Sequence, residues 1–147
     1  MAQYWFFLSD PESYHLDELF RKGKDVWDGI HGANALKHLA QVKKGDRILG
    51  YHTSPEKAVY AVLEAVSDSY PDPKDVRAAP VRARAPSAVW VVDVKGVRKL
   101  SRPVPLAELR ASKKLAQMKF LVIPRMSVSP LTPSEYEEIL RLAGEKA

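Results

Sequence analysis

The sequence predicts an α+β domain built on a small barrel or a strongly curled sheet of five or six mostly antiparallel strands. Apolar runs of strand length recur along the chain, and helical patterns are inserted between them. Strand and helix do not alternate in the regular order of a doubly wound sheet, which favours a barrel or curled sheet flanked by helices. The length and the lack of an internal repeat or long linker predict that residues 1–147 form a single domain.

In the first third of the chain, two helical patterns separate short extended segments. Leu16, Leu19 and Phe20 recur on one helical face, and Gly23 is the expected C-terminal cap of that helix. Asn34 is a candidate N-cap of the second helix, because its side chain can accept a hydrogen bond from the first turn. The predicted elements are a buried strand over residues 3–9, a helix over 14–23, an extended segment over 24–27 and a helix over 34–42.

The middle of the chain is rich in valine and predicts long strands on either side of a proline-rich loop. Residues 57–70 contain too many β-branched side chains to predict a helix; they favour a long strand that allows a bend or bulge. Four prolines between residues 71 and 87 predict the loop. The predicted strands therefore cover residues 47–53, 57–70 and 88–100.

The C-terminus contains the clearest helix signal. Thr132 is the expected N-cap, Pro133 occupies the first helical position, and Glu135 completes a capping box. The apolar face that follows consists of Tyr136, Ile139, Leu140 and Ala143. Before this helix, we predict one or two short helices over residues 103–118 and two short extended segments over 119–123 and 125–129.

The charge of the chain is unevenly distributed. The net charge is +5, yet the stretch between residues 94 and 131 holds nine basic residues and a single acidic one. Such a stretch suits a polyanion such as nucleic acid, and an ordinary solvated surface is the alternative. The absence of cysteine excludes disulfides and thiolate metal sites. No signal peptide or membrane span is recognisable, so we expect a soluble cytoplasmic protein without a membrane partner.

Sequence motifs of enzymes, cofactor sites and metal sites are not found. There is no phosphate-binding loop or nucleophile elbow, and the carboxylates of residues 10–14 stand in a proline turn, where we expect them to act as caps. His52, Asp28 and Lys57 are the available candidates for a general base or nucleophile, and no constellation joins them. We therefore predict no catalytic residue, cofactor or metal; the histidines without ligand spacing are His15, His31, His38 and His52.

Trp27 differs from the other tryptophans because its neighbours are polar and rich in glycine. Trp5 lies in the most apolar strand and is expected in the core, whereas residues 26–34 read VWDGIHGAN. A glycine-rich turn beside an aromatic ring is typical of a binding pocket, and a core residue under a loop is the alternative. The residues alone leave both interpretations open.

Taken in order, several segments resemble the EVE domain family of the thymocyte nuclear protein type, within the PUA-like superfamily and related to YTH domains. The resemblance covers nearly the whole chain and rests on YWFFLSDPESYHLDEL, VWDGI, VKKGDRILGYHTS, EKAVYAVLEAVSDSYPDP, WVVDVKGVRKLSRPVPLAELRAS and LAQMKFLVIPRMSVSPLTPSEYEEIL. It implies a PUA-like, curled five- or six-stranded β-barrel with flanking helices. It also implies a pocket for a modified base, such as a modified cytosine, flipped out of a nucleic-acid strand.

The resemblance implies which residues form the base pocket. Trp27 would supply the stacking surface, Gly29 and Gly32 would let the backbone approach, and the remaining groups would address the edge of the base. The implied pocket residues are Trp27, Gly29, Asn34, Tyr51, His52, Thr53 and Ser54. Residues 30–37 and 122–128 depart from the pattern of the family, and the second departure replaces polar residues, so we expect a more apolar pocket.

The basic stretch is expected to hold the phosphates of the polymer near the mouth of the Trp27 pocket. The leading candidates are Arg98, Arg102 and Arg125, extended by Arg82 and Arg84. We thus expect a nucleic-acid-binding module, on DNA or RNA, that reads a modified base and has no chemistry of its own. Two alternatives stay open: a PUA-like RNA-binding domain that recognises shape without a base pocket, and a nucleobase- or nucleotide-processing enzyme of the ASCH type.

Overall fold

Seven strands in the described part of the chain pair into one mixed sheet, and short helices pack around it. The computed structural model describes residues 3–30, 32–73, 89–123 and 126–145. The strands are β1 (Tyr4–Ser9), β2 (Lys24–Trp27), β3 (Arg47–His52), β4 (Ala58–Ala65), β5 (Tyr70–Pro71), β6 (Trp90–Pro105) and β7 (Val128–Leu131). The helices are α1 (Leu16–Lys22), α2 (Ala33–Leu39), α3 (Leu106–Ala111), α4 (Lys119–Val122) and α5 (Pro133–Leu142), with a 3-10 turn over Lys113–Leu115.

The strands follow the order β2-β6-β4-β3-β1-β7, and β5 pairs with β6 outside this path. Neighbouring strands are antiparallel except for β1 and β3, which are parallel. Register shifts interrupt the pairing of β3 with β4 and of β4 with β6, and such irregularities bend a sheet. The predicted α+β class is confirmed. Closure into a barrel is not confirmed, since β2 and β7 end the path unpaired with each other within the described residues.

The core lies on both faces of the sheet. Strand β1 is therefore buried on both sides, as its sequence predicts. Trp5 and Phe7 join a cluster that includes helices α1 and α2 and Trp27. Phe6 points the other way, into a cluster with Tyr51 and apolar residues of α3, α4 and α5. The alternation of side chains along a strand thus divides the core into two layers.

Local signals placed most helices correctly. Gly23 caps α1 with a φ of 87°, and the capping box at the start of α5 is formed in both directions between Thr132 and Glu135. The prediction of Asn34 as N-cap was wrong, because α2 starts at Ala33 and Gly32 is the cap. The segment 119–123, predicted to be extended, contains the single helical turn α4. The longest described helix has ten residues, and none is long and apolar enough to cross a membrane.

Candidate functional site

A cavity of about 560 Å³ opens where the end of β1 meets β2, and we call it the Trp27 cavity. The backbone N–H of Leu8 donates to the carbonyl oxygen of Ser127 at 2.9 Å, which fixes the wall on the β7 side. The cavity is lined by the end of β1 and the turn after it, the end of α1, β2 and the loop that follows, and the residue before β7: Leu8, Ser9, Asp10, Ser13, Tyr14, Lys22, Asp25, Val26, Trp27, Asp28, Gly29, Ile30 and Ser127.

Trp27 is both a core residue and a wall of this cavity. Only 7% of the residue is exposed, and its ring packs against Phe7 at a centroid distance of 5.2 Å. Tyr14 meets the indole edge-on at 6.4 Å, with an interplanar angle of 85°. Trp27 is therefore held in the core by the neighbouring rings, and it also borders the cavity; binding there stays a prediction.

Gly29 turns the chain out of β2 beside the tryptophan. Its φ is 78°, a left-handed conformation that side chains other than glycine rarely adopt. A Cβ at this position would meet nothing within 4 Å, so the glycine is required by backbone conformation rather than by crowding. The Trp-Asp-Gly segment thereby places Trp27 and the following loop against the same opening.

Asp25 ties the tyrosine beside Trp27 to its strand. Its Oδ2 accepts from the Tyr14 hydroxyl at 2.8 Å and from Lys22 Nζ at 3.1 Å, and its Oδ1 accepts from the Val26 N–H at 2.8 Å. Burial alone would raise the pKa of the Asp25 carboxyl, but these three hydrogen bonds outweigh it and the pKa lies below its usual range. Burial and the bond to Asp25 raise the pKa of Tyr14. Asp25 is therefore charged at neutral pH and already accepts three hydrogen bonds.

The other two carboxylates of the Trp27 cavity have different surroundings. Asp10 accepts from the Glu12 N–H at 3.0 Å and from the Ser13 hydroxyl at 3.3 Å, which confirms its predicted role as a turn cap. Asp28 is exposed and has no hydrogen bond or ion pair within the described residues. Three aspartates and one lysine make the lining net acidic, so it favours a ligand that donates hydrogen bonds over an anion.

A second cavity, of about 190 Å³, shares Leu8 with the first. It is lined by Leu8, Tyr51, Thr53, Ser54, Lys57, Leu106, Arg110, Phe120 and Leu121. Three residues predicted to address the edge of the base, Tyr51, Thr53 and Ser54, thus lie here and not beside Trp27. The structure brings Trp27 and Gly29 together in one cavity and these three residues together in the other.

The remaining predicted pocket residues, His52 and Asn34, line neither cavity. His52 is fully buried; its Nε2 accepts from the Leu16 N–H at 3.1 Å, and its Nδ1 lies 2.9 Å from Glu56 Oε1. Burial lowers the pKa of the His52 imidazole, which stays neutral in the fold at pH 7. Asn34 is exposed in the first turn of α2.

His15, His52 and Glu56 are the described residues whose ligand atoms approach one another as a metal site would require, within 4.8 Å. Nε2 of His52 already accepts a hydrogen bond from Leu16. In a neutral imidazole the proton then resides on Nδ1, the atom that faces Glu56, and no lone pair remains there for a metal ion. The tautomer required by the fold thus opposes metal binding at this cluster.

The arginines predicted to hold phosphates are engaged elsewhere or lie outside the described residues. Arg98 pairs with Glu145, and Arg102 forms two hydrogen bonds with Glu108 at 2.9 and 2.6 Å. Neither arginine lines the Trp27 cavity. The positions outside the described residues are Arg82, Arg84 and Arg125. Sequence reasoning did not single out Arg110, which lines the second cavity.

Residues 122–128 depart from the family pattern, but the first two of them do not line the Trp27 cavity. Val122 and Ile123 are exposed and line neither cavity. Sequence reasoning also did not assign Tyr14 and Asp25 to the site. The signal available for them was their place in the chain: Tyr14 lies in the turn region between β1 and α1, and Asp25 precedes Trp27 by two residues in β2.

Comparison with known proteins gives consistent matches over nearly the whole chain. The profile of the EVE domain family matches residues 3–142. Thymocyte nuclear protein 1 from Homo sapiens is 26% identical over 97% of this chain and 74% of its own length. The NMR structure of Rpa0253 from Rhodopseudomonas palustris has a TM-score of 0.85 at 30% identity, covering 97% of this chain and 94% of that chain. The crystal structure of human THYN1 in complex with 5-methylcytosine containing DNA has a TM-score of 0.81 at 24% identity, covering 99% of this chain and 100% of that chain.

Proposed function

Because this chain belongs to the EVE domain family, we propose that it binds nucleic acid and holds a modified base in the Trp27 cavity. The observation that carries the proposal is the opening beside Trp27, which combines a fixed aromatic wall with the unpaired carboxylate of Asp28. Its volume of about 560 Å³ lies within the range of about 300–1,000 Å³ that is usual for ligand pockets. Human THYN1, which shares the fold, was crystallised with DNA that contains 5-methylcytosine.

The lining of the Trp27 cavity favours a cytosine-type base. An aromatic ring gives a flipped base a surface to stack on, and one such stack contributes about 1–3 kcal/mol. Aspartate accepts from the exocyclic amino group of cytosine, and Asp28 is the lining carboxylate that accepts no hydrogen bond from a described residue. Leu8 and Ile30 offer apolar surface to a ring methyl group. The ligand that matches all three features is a planar base with an amino group and a methyl substituent.

The proposed activity is binding without chemistry. The three side chains that sequence reasoning considered for catalysis lie in separate surroundings: His52 is buried, Asp28 borders the Trp27 cavity and Lys57 borders the second cavity. A general base and a nucleophile have to meet at one reacting atom. This separation supports a reader of the base over an enzyme that processes it.

The proposal is tested with single-stranded oligonucleotides that carry one 5-methylcytosine or one cytosine at the same position. Binding is measured by fluorescence anisotropy for the parent protein, for Trp27→Phe and for Asp28→Ala. Trp27→Phe keeps an aromatic ring in the core and removes part of the stacking surface, so affinity for the modified strand should fall about fivefold, which corresponds to ~1 kcal/mol. Asp28→Ala should reduce affinity for both strands.

Trp5→Phe is the matched control, because it makes the same side-chain change at a tryptophan that does not line the Trp27 cavity. Its affinity should equal that of the parent. Equal affinity of the parent for modified and unmodified strands would exclude a modified-base reader. If Trp27→Phe also left binding unchanged, recognition of nucleic-acid shape outside this cavity would be the better account.

A further inference from the structure

The second cavity gathers hydroxyl groups that have no partner in the described chain. Tyr51 is only 3% exposed, its ring is held between Phe6 and Phe120, and its hydroxyl forms no hydrogen bond within the described ranges. The hydroxyls of Thr53 and Ser54 likewise bond to no described residue. Thr53 is half-buried and Ser54 is exposed, so these hydroxyls are available as hydrogen-bond donors to a ligand that enters the cavity.

Two cations border the same cavity. Lys57 and Arg110 both line it, and neither forms an ion pair or a side-chain hydrogen bond within the part of the chain that the structure describes. By contrast, Arg98, Lys99 and Arg102, which belong with Arg110 to the basic stretch 94–131, are each paired with a carboxylate. None of the described residues that line this cavity is acidic, so its charge is positive.

The backbone at Lys57 gives a second indication. Its φ is 50°, a left-handed conformation in which glycine or asparagine is more favourable. Non-glycine residues in such conformations cluster at ligand-binding sites, where the position of the side chain outweighs the conformational energy of the backbone. Lys57 lines the cavity together with Thr53 and Ser54.

This donor set suits a phosphate group. Guanidinium, ammonium and hydroxyl groups are the donors that proteins direct at phosphate oxygens. Burial raises the pKa of Tyr51, and the charge of Arg110 opposes the shift only in part, so the phenol is a proton donor at neutral pH. Leu106, Phe120 and Leu121 supply the apolar part of the lining. The volume of about 190 Å³ fits a small group better than a second base.

We infer that the second cavity is a phosphate site, which holds a backbone phosphate of the strand whose base occupies the Trp27 cavity. The inference rests on the proposed function, because the phosphate belongs to the strand whose base is bound. The two cavities are neighbours, since Leu8 lines both of them. The base would enter the acidic opening on one side of Leu8, and the phosphate would enter the basic opening on the other. The charges of the two cavities oppose the reverse arrangement.

The test compares the parent with Lys57→Gln/Arg110→Gln and with the control Lys113→Gln/Lys114→Gln. Both pairs remove two exposed cations, and the control pair lies on the 3-10 turn outside both cavities. Affinity for a single-stranded oligonucleotide with one 5-methylcytosine is measured between 50 and 300 mM salt. Loss of one phosphate contact should flatten the slope of log K against log salt by about 0.7 and weaken binding at low salt about tenfold. The control should keep the parent slope.

Tyr51→Phe separates hydrogen bonding from charge at the same site. Removal of a neutral donor should weaken oligonucleotide binding severalfold, while the salt slope stays that of the parent, because no cation is lost. Free 5-methyldeoxycytidine, which has no phosphate, is titrated in parallel. Its affinity should be the same for the parent and for Lys57→Gln/Arg110→Gln.

The outcomes distinguish the two claims. If the parent binds free 5-methyldeoxycytidine but Lys57→Gln/Arg110→Gln retains the parent salt slope, the phosphate site is refuted and the proposed function stands. If the parent binds neither nucleoside nor oligonucleotide, the proposed function fails, and an NMR titration with inorganic phosphate decides the second cavity. Shifts of the Thr53, Ser54 and Lys57 amides that vanish in the double variant would support the site, and their absence in the parent would refute it.

Discussion

Replacement of Trp27 by alanine should cost the fold about 3 kcal/mol. The side chain is almost fully buried and packs on the rings of Phe7 and Tyr14, and truncation of a buried tryptophan typically costs ~3–5 kcal/mol. The lower end applies because one side of the residue borders an open cavity, where fewer contacts are lost. Out of a total stability of about 5–15 kcal/mol, this loss should lower Tm by roughly 6–12 °C.

Urea unfolding followed by far-UV circular dichroism measures this loss without relying on tryptophan emission. Trp27→Phe keeps the ring contacts and should cost about 1 kcal/mol, with an unchanged dependence on urea. A loss below about 1 kcal/mol for Trp27→Ala would refute the reasoning, since the indole would then not be held by Phe7 and Tyr14. The expected size of the effect is also why phenylalanine, not alanine, is the variant for binding experiments.

Three further predictions concern stability. Gly96→Ala should cost about 1–3 kcal/mol in thermal denaturation, because its Cβ would lie 2.6–2.9 Å from ring atoms of Phe20, and Phe20→Leu should relieve part of this loss. Burial lowers the pKa of His52, so as the pH falls below about 6.5 this imidazole is protonated in the unfolded chain before it is protonated in the fold. The Tm should therefore decrease toward pH 5, and it should decrease less in His52→Gln. Hydrogen bonds from Arg141 lower the pKa of Glu138 from 4.5 to about 2, so its contribution is complete above pH 4.5 and lost toward pH 2. Glu138→Gln should cost about 1–2 kcal/mol at pH 7 in urea unfolding and remove that acid-dependent step.

The parts of the fold that sequence predicted are those whose signals are local. The capping box before α5 and the glycine after α1 are written in a few consecutive residues, and both formed as expected. β5 has two residues and exists because β6 pairs with it, which no local pattern reveals. The parallel pairing of β1 with β3 and the open ends of the sheet also depend on contacts between segments distant in sequence.

The candidate site was predictable where one segment builds it and not where several meet. Trp27 and Gly29 are two residues apart in the chain, and their unusual neighbours pointed to the opening that the structure contains. Tyr51 and His52 are consecutive in β3, so their side chains leave opposite faces of the sheet and could not both address one base.

Net charge led to the prediction of a polyanionic partner but did not indicate which cations would be free to bind it. The basic stretch suggested phosphate contacts, yet Arg98, Lys99 and Arg102 are neutralised by carboxylates, which reduces their attraction for a polymer. The cavity with the aromatic wall is acidic, and the smaller cavity beside it is basic. A nucleotide has the same division, with a neutral base that donates hydrogen bonds and an anionic phosphate. In the proposed complex, the two cavities therefore fix the direction in which the strand crosses the end of β1, because reversing it would bring the phosphate to the aspartates and remove it from Arg110.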